Sequence, residues 1–165
     1  LHDALPIWTI RIGLQFKQIG LHAAPDDAYL VLRGLRTLGV RLERQAASAL
    51  KIARWLAERP EVAHVLHPAL PAHPDHAIWR RDFTGASGLF GCVLKPVAPE
   101  ALKRMLEGYA LFAMGFSWGG YESLILPTDE NLRRAVSPWR AEGPLLRLSI
   151  GLENADDLIA DLVQQ

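Results

Sequence analysis

Arg147 stands out for its surroundings. In Leu145-Leu146-Arg147-Leu148-Ser149-Ile150, the alternation of a strand puts Leu146, Leu148 and Ile150 on one face and Arg147 with Ser149 on the other. A guanidinium inside an otherwise apolar strand is costly without a partner. Its planar fork binds a carboxylate through two parallel hydrogen bonds, so an amino-acid or keto-acid substrate would suit it. The same pattern also fits a strand whose second face is solvated, with Arg147 in water or paired with an acidic neighbour. A second candidate is Ser117-Trp118-Gly119-Gly120, which follows an apolar run. Adjacent glycines permit positive φ and let the backbone approach a ligand, while the indole offers a flat wall and an N–H donor. A tight turn with a packed tryptophan would read the same way. No helix with Lys-Ser or Lys-Thr follows, so this is not a phosphate-binding loop.

His64, His67, His73 and His76 give two His-x-x-His spacings, which on a helix or tight loop could hold a metal. Prolines at 68, 71 and 74 hold the stretch extended, and no Asp or Cys ligand repeats alongside, so a solvated loop and no metal site is expected. Cys92 lies among apolar residues in mid-strand, where a buried, inert thiol is the usual state. There is no Ser-His-Asp spacing and no Gly-x-Ser-x-Gly elbow.

The chain that must position these residues has 165 of them, half hydrophobic and 22% charged, enough to bury a core. Eighteen basic and 18 acidic side chains cancel, which excludes the whole-protein basic field that draws proteins onto nucleic acid or an anionic membrane. A single cysteine excludes an intramolecular disulfide framework and any multi-thiolate metal site. No apolar run approaches the roughly 20 residues needed to cross a bilayer. The first residues lack a basic n-region, so no signal peptide is expected, and the location expected is cytoplasmic. Leu1 to Trp8 has neither helical nor alternating period, which fits the start of a piece cut from a longer protein or an ordinary extended terminus.

Pro25-Asp26-Asp27 is a helix start, with acidic side chains at the positive end of the dipole. Apolar residues then recur at Leu35, Leu38, Leu42, Ala46, Ala49, Ala53 and Leu56, a helical stripe ended by Pro60. One helix over 26–59 would span about 50 Å at ~1.5 Å per residue. A small domain is only about 30 Å across, so the first half should leave the downstream core uncovered and pack on another domain. A break at Gly34 or Gly39 into two ordinary helices is the alternative. Downstream, strands are expected at Glu61–Leu66, Gly88–Leu94, Leu111–Phe116 and Leu145–Leu152, and helices at Asp75–Arg81, Pro99–Tyr109 and Ala155–Val163, with Trp79 on the inner side of the first of these. Leu124-Ile125-Leu126 is a further apolar stretch. The alternation gives a two-layer α/β (α+β) domain, about four strands with helices on one face.

Taken together the motifs are specific. Asp27 to Leu38 resembles the helix by which the Cys/Met-metabolism family of pyridoxal-phosphate enzymes leaves its cofactor domain. Phe116-Ser117-Trp118-Gly119-Gly120-Tyr121-Glu122-Ser123-Leu124 resembles that family's substrate loop, and Leu146 to Glu153 resembles its carboxylate-binding strand. The resemblance covers roughly Ile19 to Gln165, and Trp118 with Tyr121 is closer to the β-lyase branch than to the γ-synthase and γ-lyase branches. It implies fold type I, with 1–25 a remnant of a pyridoxal-phosphate-binding large domain, 26–59 a connecting helix, and 60–165 the small C-terminal domain, its strands mainly antiparallel. The implied reaction is carbon–sulfur β-cleavage of cystathionine to homocysteine, pyruvate and ammonia, in methionine biosynthesis. There the ring of pyridoxal 5'-phosphate accepts the electrons left when the α-proton is removed.

Carried over by motif, Arg147 would clamp the substrate α-carboxylate, and Ser117 and Trp118 would line the same pocket. The family's Schiff-base lysine lies in a motif upstream of everything matched, and none of Lys17, Lys51, Lys95 and Lys103 stands in it. The partner of the pyridine nitrogen, the stacking aromatic and the phosphate loop are also outside the matched motifs. The expectation is therefore that this chain has no catalytic or cofactor-binding residue of its own and is inactive alone. Its partners would be an amino-acid substrate and, for the full-length protein, further copies in a homotetramer, with no nucleic acid or membrane. Another family member (γ-synthase, γ-lyase or sulfhydrylase) or a non-catalytic amino-acid-binding module is the alternative.

Overall fold

The computed structural model describes residues 11–16, 18, 20, 23–128, 132, 134–136 and 138–164. The opening Leu1–Trp8 segment and Lys17 lie outside the described residues. The chain divides into two compact units, Leu1–Gly39 and Val40–Gln165.

In the first unit residues 11–16 are helical, and α1 runs Pro25–Arg36 with proline at its start and Asp26 and Asp27 in its first turn. None of the residues of α1 is buried. Leu30, Val31 and Leu35 are 59%, 70% and 61% exposed. Thr37 separates α1 from α2, Leu38–Ala57; its N–H and its hydroxyl both donate to the Gly34 carbonyl.

The second unit is built on a four-stranded sheet. Its strands are β1 (Val62–Leu66), β2 (Leu89–Leu94), β3 (Leu124–Pro127) and β4 (Leu145–Ser149), in the order β1-β2-β4-β3 with every pair antiparallel. Helices α3 (His76–Asp82), α4 (Pro99–Gly108) and α5 (Ala155–Val163) complete it. Period-two alternation along the strands gives one face to Phe90, Cys92, Ile125, Leu146 and Leu148. These pack with Ala49, Ile52, Ala53 and Leu56 of α2, Leu106 of α4 and Leu158 of α5 to form the core. The helices α2, α4 and α5 thus share one face of the sheet, as the sequence pattern predicts.

Three local expectations are corrected. Leu111–Phe116 is not a strand: only Ala113 makes an isolated bridge, to Leu124 on the sheet edge, and the fourth strand is instead Leu124–Pro127. The backbone donors of that run are claimed by a side chain, because the Asp161 carboxylate accepts the N–H groups of Ala110, Leu111 and Phe112 at 2.9, 2.8 and 3.2 Å. β4 ends at Ser149 rather than Leu152; beyond it the Ile150 N–H donates to the Gly88 carbonyl and the Leu152 N–H to the Tyr121 carbonyl, at the close approach of Tyr121 that a β-carbon at Gly151 would block. The histidine stretch is neither extended nor wholly solvated. Successive turns link Leu70 to His67, His73 to Leu70 and His76 to His73, and His67 is 1% exposed against the Phe90 ring.

Candidate functional site

The face of the sheet opposite the core carries Arg147 at the centre of β4, flanked in register by Gly91 of β2 and Leu126 of β3. Glycine at 91 is what room allows. A β-carbon there would lie 3.2 Å from a Leu66 methyl and 3.4 Å from a Leu145 methyl. Nη2 of Arg147 donates to the carbonyls of Gly115, Phe116 and Ser117 at 2.9, 3.0 and 3.1 Å, and its Nε is buried without a hydrogen-bond partner. The strand and the Ser-Trp-Gly-Gly loop, 30 residues apart in sequence, are therefore in direct contact. Ser117 takes part through its backbone carbonyl. Trp118 follows directly and is 64% exposed, so the indole has not been consumed by the core.

The loop is tied down at several points that the sequence reading did not assign. Gly119 sits at φ +76°, the left-handed region glycine enters without penalty, and its N–H donates to Ser149 Oγ at 3.2 Å. Gln45 of α2 is 2% exposed and its amide donates to the Gly120 carbonyl at 2.6 Å. Beyond the turn, buried Ser123 is held by Glu153, whose carboxylate accepts the Ser123 N–H at 2.7 Å and its hydroxyl at 2.8 Å. The Gly151 N–H donates in turn to Ser123 Oγ at 2.9 Å. Hydrogen bonds to an ionised carboxylate are about twice as strong as neutral ones, so Glu153 is the firmest of these anchors. A signal for it was present: Ser123 and Glu153 both lie within the two motifs that meet here. Gln45 gave less, because the apolar stripe had placed Ala46 inward, whereas the buried positions of α2 are Gln45, Ser48, Ala49, Ile52, Ala53 and Leu56.

What this arrangement can do is bind an anion. It presents a guanidinium fixed to the backbone of the loop that carries the exposed Trp118 and the glycine turn, with Tyr121 69% exposed on the same loop. It offers no group suited to Schiff-base chemistry. Lys51 is an exposed residue paired with Asp156 at 2.6 Å, Lys103 lies 3.8 Å from Glu107, and Lys95 is exposed. These exposed lysines do not form an enclosed site of the kind pyridoxal phosphate needs.

Other candidates fall elsewhere. Cys92 is buried in the core, where desolvation pushes its thiol up to about 12. His67 has its pKa lowered, first by burial and then by nearby His73. Its Nδ1 accepts the Ala69 N–H at 3.2 Å and its Nε2 has no partner. Among the described residues no three His, Cys, Asp or Glu side chains are grouped to hold a metal ion, and no helix is long and apolar enough to cross a membrane.

Residues 4–165 match the profile of a family described as Cys/Met metabolism PLP-dependent enzyme, a match that starts well before Ile19, where the motifs alone placed it. Cystathionine β-lyase MetC of Escherichia coli is 55% identical over 141 residues, covering 83% of this chain and 36% of its own length. A putative cystathionine β-lyase of Rhizobium johnstonii is 51% identical over 148 residues, covering 87% and 37%. A putative O-acetylhomoserine (thiol)-lyase of Campylobacter jejuni, solved with a pyridoxyl-lysine 5'-monophosphate, superposes with a TM-score of 0.77 at 35% identity, over 96% of this chain and 37% of that one. This chain therefore spans little more than a third of the length of the proteins it resembles.

Proposed function

We propose, for a chain that belongs to the Cys/Met metabolism family of pyridoxal-phosphate-dependent enzymes, that its 60–165 region is the domain that grips the substrate's α-carboxylate in a carbon–sulfur β-lyase acting on L-cystathionine. Arg147 is the cation that binds the carboxylate, and Ser117 and Trp118 line the pocket beside it. The observation that carries this reading is the triple donation from Arg147 Nη2 to the carbonyls of residues 115–117. It aims the guanidinium at the loop that bears Trp118 rather than at an acidic neighbour or open water. A clamp of this kind contributes by orientation: it holds the amino acid so that its α-carbon and β-sulfur stay in one geometry for reaction. Cleavage to homocysteine, pyruvate and ammonia is favoured within the family by the identity to two β-lyases, which exceeds that to the thiol-lyase structure.

The cofactor, when bound, supplies the electron sink for the carbanion formed at the α-carbon. Its lysine and phosphate contacts fall, on this reading, in the part of the relatives' length that this chain does not span. The exposed apolar side chains of α1 support that division, since Leu30, Val31 and Leu35 form a surface of the kind another domain covers. A cytoplasmic homotetramer is the assembly proposed for the whole enzyme, and the chain alone is expected to form no borohydride-reducible imine with the cofactor.

The test is Arg147→Ala in the holoenzyme, with kcat/KM measured on L-cystathionine. Removing one partner of a desolvated charge pair costs about 2–5 kcal/mol, so a fall of roughly 30- to 5,000-fold is expected. A value within twofold of the parent removes Arg147 from the site.

A further inference from the structure

The inner stripe of α2 is apolar along its last three turns, with Ala49, Ile52, Ala53 and Leu56 against the sheet. One turn earlier, at the position that continues the stripe, stands Gln45, 2% exposed. An amide buried there costs free energy unless its hydrogen bonds are made, so the residue is justified only by what it holds. It holds the loop: Nε2 donates at 2.6 Å to the carbonyl of Gly120, 75 residues away. The approach of α2 that makes this possible depends on Gly88. A β-carbon at that position would collide with the Ile150 carbonyl and stand 3.3 Å from the Gln45 β-carbon.

We propose that Gln45 is a positioning residue for the carboxylate site, fixing the Gly119-Gly120 turn and through it the indole of Trp118. The inference rests on the carboxylate-binding reading of Arg147. Two opposed tethers act on adjacent residues. Ser149 Oγ takes the Gly119 N–H from the strand side, and Gln45 takes the Gly120 carbonyl from the helix side. The left-handed conformation of Gly119 lies at the first of these points. Ser149 shares the sheet face with Arg147 two residues away, so that tether sets the turn relative to the guanidinium. With Gln45 removed, the Gly120 carbonyl loses its side-chain tether, and the turn is held only by Ser149 at the Gly119 N–H and by the Leu152 N–H at the Tyr121 carbonyl. The loop residues on it (Trp118 64% and Tyr121 69% exposed) have no burial to restrain them. Gln45 touches neither the reacting atoms nor the carboxylate, and its effect is on the population of loop conformations that match the substrate.

The experiment compares Gln45→Met, which keeps side-chain length and removes the donor, and Gln45→Glu, which puts an acceptor against the carbonyl, with Arg147→Ala as reference, all in the holoenzyme. Expected for Gln45→Met are a KM for L-cystathionine raised by about tenfold, the factor that loss of one hydrogen bond brings, a kcat within about twofold, and amide hydrogen exchange faster by a similar factor at Gly119, whose N–H is the hydrogen-bonded donor of the turn. Gln45→Glu should show larger changes in the same directions. Protection in β2 and β4 should be unaltered in both, which a general loosening of the fold would not leave intact. Unchanged exchange at Gly119, or a KM within twofold of the parent in both variants while Arg147→Ala raises it, overturns the role of Gln45 alone. An unchanged KM in Arg147→Ala overturns the carboxylate reading itself. A uniform rise in exchange across the sheet in both Gln45 variants makes the residue structural and also overturns the proposal.

Discussion

Asp161 offers the sharpest test of how the loop segment is held. The carboxylate is 4% exposed and accepts three consecutive backbone N–H groups, those of Ala110, Leu111 and Phe112. A hydrogen bond to a charged group contributes about 1.5–3 kcal/mol, so three would total on the order of 6 kcal/mol. Two corrections reduce that. Ala110 and Leu111 are exposed, so water can replace the carboxylate at their N–H groups; Phe112 is 3% exposed and has no such recourse. Deleting the charge also removes the cost of keeping a carboxylate out of water, which is several kcal/mol. Asp161→Ala should therefore lower the unfolding free energy by about 3 kcal/mol, and Asp161→Asn, which keeps one acceptor oxygen, by about half as much. For a unit the size of Val40–Gln165 this corresponds to a Tm lower by roughly 10 °C for the alanine variant. Urea denaturation monitored by tryptophan fluorescence and by circular dichroism gives the free energy, provided the two probes coincide and the m-value is unchanged. A loss below about 0.5 kcal/mol for Asp161→Ala would refute the reasoning. It would mean that the 110–112 backbone finds equivalent partners without the carboxylate.

Two further outcomes concern titratable groups away from the site. His67 has a folded-state pKa below its ordinary value, because burial disfavours the imidazolium. The unfolded chain therefore takes up the proton first, and the stability contributed by keeping His67 neutral is complete above the ordinary histidine pKa of about 6.5 and is lost as pH falls from there through the folded pKa. Urea titrations at descending pH should show a stability loss that is smaller in His67→Gln; equal pH dependence in both proteins would exclude His67 as its source. Cys92, with its thiol pushed up to about 12 and its sulfur in the core, should resist an aromatic disulfide reagent at pH 8 and react only after denaturant is added. Stoichiometric labelling of the native protein within minutes would contradict that.

The helices near the end of the chain were legible because their punctuation is local. Pro99-Glu100 opens α4, and Asp156 and Asp157 stand in the first turn of α5, which begins and ends where the sequence pattern places it. The Arg147 strand was legible for a similar reason, since alternation over five residues fixes which side chains share a face. The run Leu111–Phe116 was misread because apolar composition says only that a segment has few polar side chains. Whether its backbone joins a ladder depends on which acceptors arrive from elsewhere, and here they arrive from Asp161, about fifty residues on. His67 was misplaced as solvated for a related reason: the ring of Phe90, brought by β2, is what covers it.

By itself the sequence determined the alternation of elements, the two motifs and the chemistry of their side chains, because these depend on residue type and on spacing within one element. Only the tertiary structure decided that the two motifs meet, strand against loop. It also decided that Gln45, Ser149 and Glu153 hold the loop, and that Arg147 is aimed at carbonyls 115–117 rather than at solvent. The physical reason is range. A periodic pattern is written within a few residues, whereas a hydrogen bond spanning 30 or 75 positions is specified by how a helix packs on a sheet. That packing is set by volumes such as the missing β-carbon of Gly88, which no local pattern reveals.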